Sequence, residues 1–112
     1  MTSAEPVRQP VDFASRVIWD EAEVIVAVEG EIDLATVPLL WGSFQEPTSA
    51  VSTRLIVDVS ATTFVDSTGM AVFLMAHKRL RDRGAELVLR GPTPPVRRGL
   101  QLTGLDKVLA VE

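Results

Sequence analysis

Leu55-Ile56-Val57-Asp58-Val59, then Asp66-Ser67-Thr68-Gly69, then Met70, Phe73, Leu74, His77 and Leu80 decide how this chain is read. The first run is apolar on successive residues, the pattern of a strand over residues 54–59 covered on both faces. The last set recurs at i, i+3, i+4 and i+7, which predicts a helix over about residues 67–83 with one core-facing stripe. Lys78, Arg79, Arg81 and Arg83 fall in its last turns, where cations suit the helix dipole, and Gly84 is placed for a left-handed cap. The residues between strand and helix therefore occupy a helix N-terminus, whose backbone N–H groups lack intrahelical partners and favour an added anion. Ser67 becomes a candidate phosphoacceptor and switch. The competing reading is a plain helix cap, a role that Ser, Thr, Asp and Asn fill in any protein.

Upstream, Phe13–Trp19 and Glu23–Val28 are β-branched and aromatic in places, with Asp20-Glu21-Ala22 between them, and read as an antiparallel hairpin. Gly30-Glu31-Ile32-Asp33 ends the second strand. Asp33 is placed to cap a helix through Ala35, Val37, Leu39, Leu40, Trp41 and Phe44, with Pro38 tolerated in its first turns and Pro47-Thr48-Ser49-Ala50 closing it. Downstream, Glu86–Arg90 reads as a strand. Thr93 with Pro94-Pro95 opens a helix that stops before Gly104, and Lys107–Val111 has a strand-like composition. The order β-β-α-β-α-β-α-(β) is that of a small α/β domain: a mixed sheet opened by a hairpin and packed with three to four helices. Residues 1–11, with Pro6 and Pro10, are expected to be a flexible arm and residues 12–112 the domain.

Composition narrows the function classes. A chain of 112 residues holds one core, and 46% hydrophobic content excludes a disordered acidic polypeptide. The absence of Cys excludes disulfides, thiolate metal sites and thiol switches, and fits a reducing cytoplasm. A net charge of −4 argues against direct nucleic-acid binding. No apolar run approaches the ~20 residues of a membrane span, and the first residues lack signal-peptide features.

Several residues have a bland reading beside a functional one. Asp33 is either a helix cap or an aid to docking and phosphotransfer, and Asp58 reads as a structural carboxylate before a catalytic base. His77, the single histidine, lies on the helical stripe and reads as a partly buried imidazole. Trp19 and Trp41 read as packing anchors, Arg97-Arg98 as a solvated face.

Three segments in order resemble the STAS domain of bacterial anti-sigma factor antagonists, over about residues 11–112. They are Gly30-Glu31-Ile32-Asp33; Leu55–Ser60 followed by Phe64-Val65-Asp66-Ser67-Thr68-Gly69; and Leu100 with Thr103-Gly104-Leu105 and Asp106. The resemblance implies that Ser67 is phosphorylated by a partner that is both anti-sigma factor and serine kinase. The unphosphorylated chain would bind that partner and free the sigma factor, and a serine/threonine phosphatase would reset it. ATP would enter through the kinase, so no cofactor is expected of this chain. Thr68 is a possible second acceptor. Met70-Ala71 stands where the family commonly has leucine-glycine, which would add bulk beside the acceptor. The expected partner-binding set is Asp33, Asp66, Ser67, Thr68, Gly69, Val72, Met75 and Arg79. Thr68, Val72, Met75 and Arg79 lie opposite the core stripe as either a kinase-docking strip or residues packed under the neighbouring helix. The expected state is a cytoplasmic monomer or weak dimer.

Phosphorylation adds about −1.5 to −2 charge and three acceptor oxygens. Within the domain, a helix N-terminus favours the anion by about 0.3–1 kcal/mol and Asp66 opposes it by a comparable screened amount, so the fold should hardly change. Across an interface, like charges ~4 Å apart at an effective dielectric of ~20 repel by ~4 kcal/mol, enough to expel a partner. Two alternatives compete. One keeps the fold as a non-switching or nucleotide-responsive subunit of a transporter or stress-signalling complex. The other, a hydrolase, is disfavoured: Val65-Asp66-Ser67-Thr68-Gly69 is not a Gly-x-Ser-x-Gly elbow. His77 also sits ~15 Å of helical rise from Ser67.

Overall fold

The computed structural model describes residues 13–20 and 23–112. The expected arm over residues 1–11 lies outside them, as do Glu21 and Ala22 of the hairpin turn. The chain runs β1 (Ala14–Trp19), β2 (Val24–Ile32), α1 (Val37–Ala50), β3 (Arg54–Val65), α2 (Ser67–Arg81), β4 (Glu86–Arg90), α3 (Pro94–Thr103), a 3-10 turn (Leu105–Lys107) and β5 (Ala110–Val111). This is the expected element order, with the bracketed last strand present. The sheet order is β1-β2-β3-β4-β5; β1 and β2 are antiparallel and every later pair is parallel.

Alternation along the strands assigns the faces. Val24, Val26 and Val28 of β2, Leu55, Val57 and Val59 of β3, and Leu87 and Leu89 of β4 join one buried cluster with Leu40, Phe44, Met70, Phe73, Ala76 and Leu80 of the helices. Phe44 and Phe73 meet at 6.5 Å between ring centroids, joining α1 to α2 over the sheet. Ile56 and Val88, with 0% and 1% exposure, point to the other face, so the first half of β3 is covered on both sides as its unbroken apolar run predicts. Charged residues occupy that second face. Glu112 reaches Arg54 at 2.9 Å and Arg90 at 3.5 Å, and Arg90 reaches Glu23 at 3.4 Å.

Four boundaries differ from expectation. β2 runs on to Ile32 past Gly30 (φ 89°), and β3, which carries an extra residue at each of two register shifts, runs on to Val65 because ladder pairing with β2 continues to Ile32↔Val65. α1 begins at Val37 after Thr36, not at an Asp33 cap. Pro47 does not close α1: it is buried inside the helix, which continues to Ala50. Giving up one intrahelical bond there is tolerated because the next turn is held from outside the backbone ladder. The Thr48 hydroxyl donates to Phe44 C=O at 2.7 Å, and the Arg83 guanidinium donates to Thr48 and Val51 C=O at 2.9 and 2.8 Å.

α2 ends as expected on Gly84 (φ 78°), whose N–H donates to Arg81 C=O at 3.0 Å. Its buried face is wider than the predicted stripe, taking in Gly69, Val72 and Ala76, while Leu74 is only half-buried. Trp19, expected as a packing anchor, is 51% exposed near the open edge of the sheet. No helix among the described residues is long and apolar enough to cross a membrane.

Candidate functional site

The C-terminal ends of β2 and β3 converge on two adjoining turns. Asp66 N–H donates to Ile32 C=O at 3.0 Å, which ties the start of α2 to the end of β2. Gly69 is required by that approach. A Cβ there would lie 2.5 Å from Ile32 Cγ2 and 2.7 Å from Val65 Cγ1, so the first turn of α2 seats directly on the strand ends. The two turns are closed in the same way, each by an aspartate.

In the first turn, one Asp33 carboxylate oxygen accepts from the N–H groups of Ala35 (3.0 Å) and Thr36 (3.2 Å). The buried Thr36 hydroxyl donates to Glu31 C=O at 2.9 Å and accepts from Asp33 N–H at 2.9 Å. Asp33 is thus an organiser of the turn that feeds α1, a local bonding pattern typical of aspartate.

In the second turn, Asp66 is the N-cap of α2. Its Oδ1 accepts from Thr68 N–H (2.9 Å), Gly69 N–H (3.1 Å) and the Thr68 hydroxyl (2.5 Å). Burial acts to raise the Asp66 carboxyl. The Thr68 hydroxyl and the N–H groups of Gly69, Thr68 and Leu34 outweigh it and hold the pKa below the usual 3.8. At neutral pH the site therefore carries a carboxylate held in place by three bonds to one of its oxygens. The plain-cap reading of Ser67 gives way here: Ser67 is the first residue of α2 rather than its cap. It is exposed, and its hydroxyl makes no hydrogen bond among the described residues. Thr68, by contrast, is half-buried and spends its hydroxyl on Asp66.

The strip opposite the core stripe is not continuous. Val72 is 5% exposed and belongs to the core, a correction to its place in a docking face: the helix turns it under its neighbours, as the packing reading of that strip held. Met75 remains 51% exposed. Arg79 is half-buried between the helices, its guanidinium 5.4 Å from the Trp41 ring centroid and 3.4 Å from both Gln45 Oε1 and Ser49 Oγ. The bulk expected at Met70-Ala71 is divided. Met70 is buried, with its Cε where a Cβ on Gly99 of α3 would come within 2.7 Å, so only Ala71 adds surface beside Ser67.

Sequence reasoning missed Leu34, 73% exposed, whose N–H helps hold the Asp66 pKa down, and Phe64, 47% exposed two residues before Asp66. Leu34 is carried to the surface by the first turn, and Phe64 by the far end of β3, where it pairs with Glu31. No periodicity in the chain signals either. Asp58 is a local structural carboxylate, accepting from Ser60 N–H at 2.9 Å and the Ser60 hydroxyl at 2.7 Å. His77 is buried. Desolvation, then the charges of Arg81 and Lys78, lower its pKa, and its Nδ1 has no hydrogen-bond partner among the described residues.

A family model described as "Mlab, STAS domain" matches residues 15–111. An anti-sigma-B factor antagonist of Listeria monocytogenes is 32% identical over 93 residues, covering 83% of this chain and 82% of that protein. Among solved structures, an anti-sigma factor antagonist from Mycobacterium paratuberculosis superposes with a TM-score of 0.78 at 29% identity, covering 94% of this chain and 89% of that one. The Bacillus cell fate determinant SpoIIAA in its phosphorylated form has a TM-score of 0.68 at 22% identity, over 88% of this chain and 91% of that one, a likeness of fold.

Proposed function

The chain belongs to the STAS domain family of anti-sigma factor antagonists, and we propose that it works as one, with Ser67 as its switch. Unphosphorylated, it binds an anti-sigma factor that is also a serine kinase and so releases a sigma factor. Phosphorylated on Ser67, it is expelled, and a serine/threonine phosphatase restores it. ATP comes with the kinase, the chain itself holds no cofactor and catalyses nothing, and the exchange takes place in the cytoplasm.

One observation carries this reading. At the start of α2 every polar side chain is consumed by the cap except the exposed Ser67 hydroxyl. Thr68 is bound to Asp66 and would have to break the cap to react, so Ser67 is the acceptor and Thr68 is not. The caged Asp66 carboxylate supports the second half of the cycle. It is a negative charge that cannot move away from a neighbouring phosphate, and the pair presents a concentrated anion to whatever packs there.

Incubation of the chain with ATP and candidate anti-sigma kinases, followed by phosphosite mapping, tests the assignment. Labelling should vanish in Ser67→Ala and persist in Thr68→Val. Labelling that survives Ser67→Ala would refute it. No labelling by any kinase, with recovery in a transporter complex, would favour the scaffold alternative.

A further inference from the structure

We propose that Asp66 decides which of two adjacent hydroxyls takes the phosphate, by holding Thr68 out of the reaction and leaving Ser67 to it. This role rests on the reading that a serine kinase acts at this turn. The chain sets two candidate acceptors side by side, and exposure alone does not separate them. Ser67 is exposed and Thr68 is only half-buried, so a kinase that reaches one comes within a residue of the other. Hydrogen bonding separates them. One Asp66 oxygen, Oδ1, accepts from both the N–H and the hydroxyl of Thr68, and from the Gly69 N–H besides. Thr68 is thus gripped at two points by a single atom, and its side chain cannot turn outward without giving up a charge-assisted bond. The carboxylate cannot follow it, because the Gly69 N–H holds the same oxygen and the Leu34 N–H of the neighbouring turn also favours the charged form. The Ser67 hydroxyl makes no such bond among the described residues.

The transfer itself widens the difference. On either residue the γ-phosphoryl group of the kinase's ATP leaves ADP and bonds to the side-chain oxygen, while the hydroxyl proton passes to a base of the kinase. At Thr68 that proton is the one shared with Asp66. Its loss, and the arrival of about −1.5 to −2 charge, would set a phosphate against a carboxylate at hydrogen-bond distance. At Ser67 no bond is lost. The charge on Asp66 therefore does more than a neutral cap would: it strengthens the hydroxyl bond and repels the phosphate that would replace it.

Phosphosite mapping with ATP and the kinase that labels the wild type tests this in a background without Ser67. Ser67→Ala alone should stay unlabelled. Adding Asp66→Ala should bring labelling onto Thr68, about ten- to a hundredfold above the Ser67→Ala background, the worth of a hydrogen bond to a charged group. Asp66→Asn is the sharper change, since asparagine caps a helix as well as aspartate does but carries no charge. Added to Ser67→Ala, it should keep the fold by circular dichroism and still admit phosphate to Thr68, which a purely structural Asp66 would not allow. Thr68→Val should remove the new label. If the wild type is labelled on Ser67 and the folded Asp66→Asn double variant stays as unlabelled as Ser67→Ala, the proposal falls while Ser67 keeps its role. If the wild type takes no phosphate on Ser67 from any kinase, the switch itself falls, and the selection with it.

Discussion

Asp66 and Ser67 are adjacent, yet only the first is bound into the fold. Asp66→Ala removes the acceptor of three hydrogen bonds at the start of α2 and should cost about 1–2 kcal/mol in urea unfolding at neutral pH. The sign with pH follows from the lowered pKa. The carboxylate's contribution is present above the ordinary value of 3.8 and is lost as pH falls through the lower folded value, so wild type and variant should converge in strong acid. Ser67→Ala should change stability by no more than about 0.5 kcal/mol. His77 is also lowered, and its neutral form suits the core. Its contribution is complete above about 6.5 and declines as pH falls through the folded value. His77→Gln should flatten that part of the stability–pH curve, as thermal melts in a pH series would show. The Asp-Ser-Thr-Gly stretch made the acceptor legible from sequence. Which residue caps and which stays free depends on a side-chain rotamer and on the neighbouring turn, and neither is written in spacing.

At the level of elements, the departures share one cause: contacts between elements outweighed local punctuation. Pro47 reads as a helix terminator until Arg83, far along the chain in the turn that follows α2, supplies donors to the end of α1. Arg83→Ala should therefore destabilise the domain by about 1–3 kcal/mol in chemical denaturation, leaving two carbonyls without their charged donor. Arg79→Ala, whose contacts are longer and exposed, should cost under about 1 kcal/mol. Two glycines should separate in the same assay. Gly69→Ala drives a Cβ into two branched side chains and should cost about 1–3 kcal/mol, while Gly99→Ala meets only the flexible end of Met70 and should cost less. Of the two readings of Val72, docking strip or packing under the neighbouring helix, the second holds, because a stripe at i, i+3, i+4 describes only one packed face. α2 packs against α1 as well as the sheet, and its buried arc is correspondingly wider.

For the whole molecule, topology was the most legible feature. The alternation of strand-like and helical segments, the hairpin and the apolar β3 together leave few arrangements, and the observed sheet is one of them. The juxtaposition of the β2–α1 turn with the α2 N-terminus was not legible, because it needs the β2–β3 register through Ile32↔Val65. That juxtaposition brings the exposed Ser67, the Asp66 carboxylate and the turn that carries the exposed Leu34 to one end of the sheet. Because the cap already satisfies the helix terminus, phosphate on Ser67 should act on a partner and leave the domain's own structure unchanged. The decisive measurement is the affinity of the cognate anti-sigma factor for the unphosphorylated and the Ser67-phosphorylated chain, taken with an amide NMR spectrum of each. The account predicts a loss of about a hundredfold or more, roughly 2.8 kcal/mol, with spectral changes confined to the two turns and the first turn of α2. Equal affinity for both forms, or a rearrangement reaching across the sheet, would contradict it.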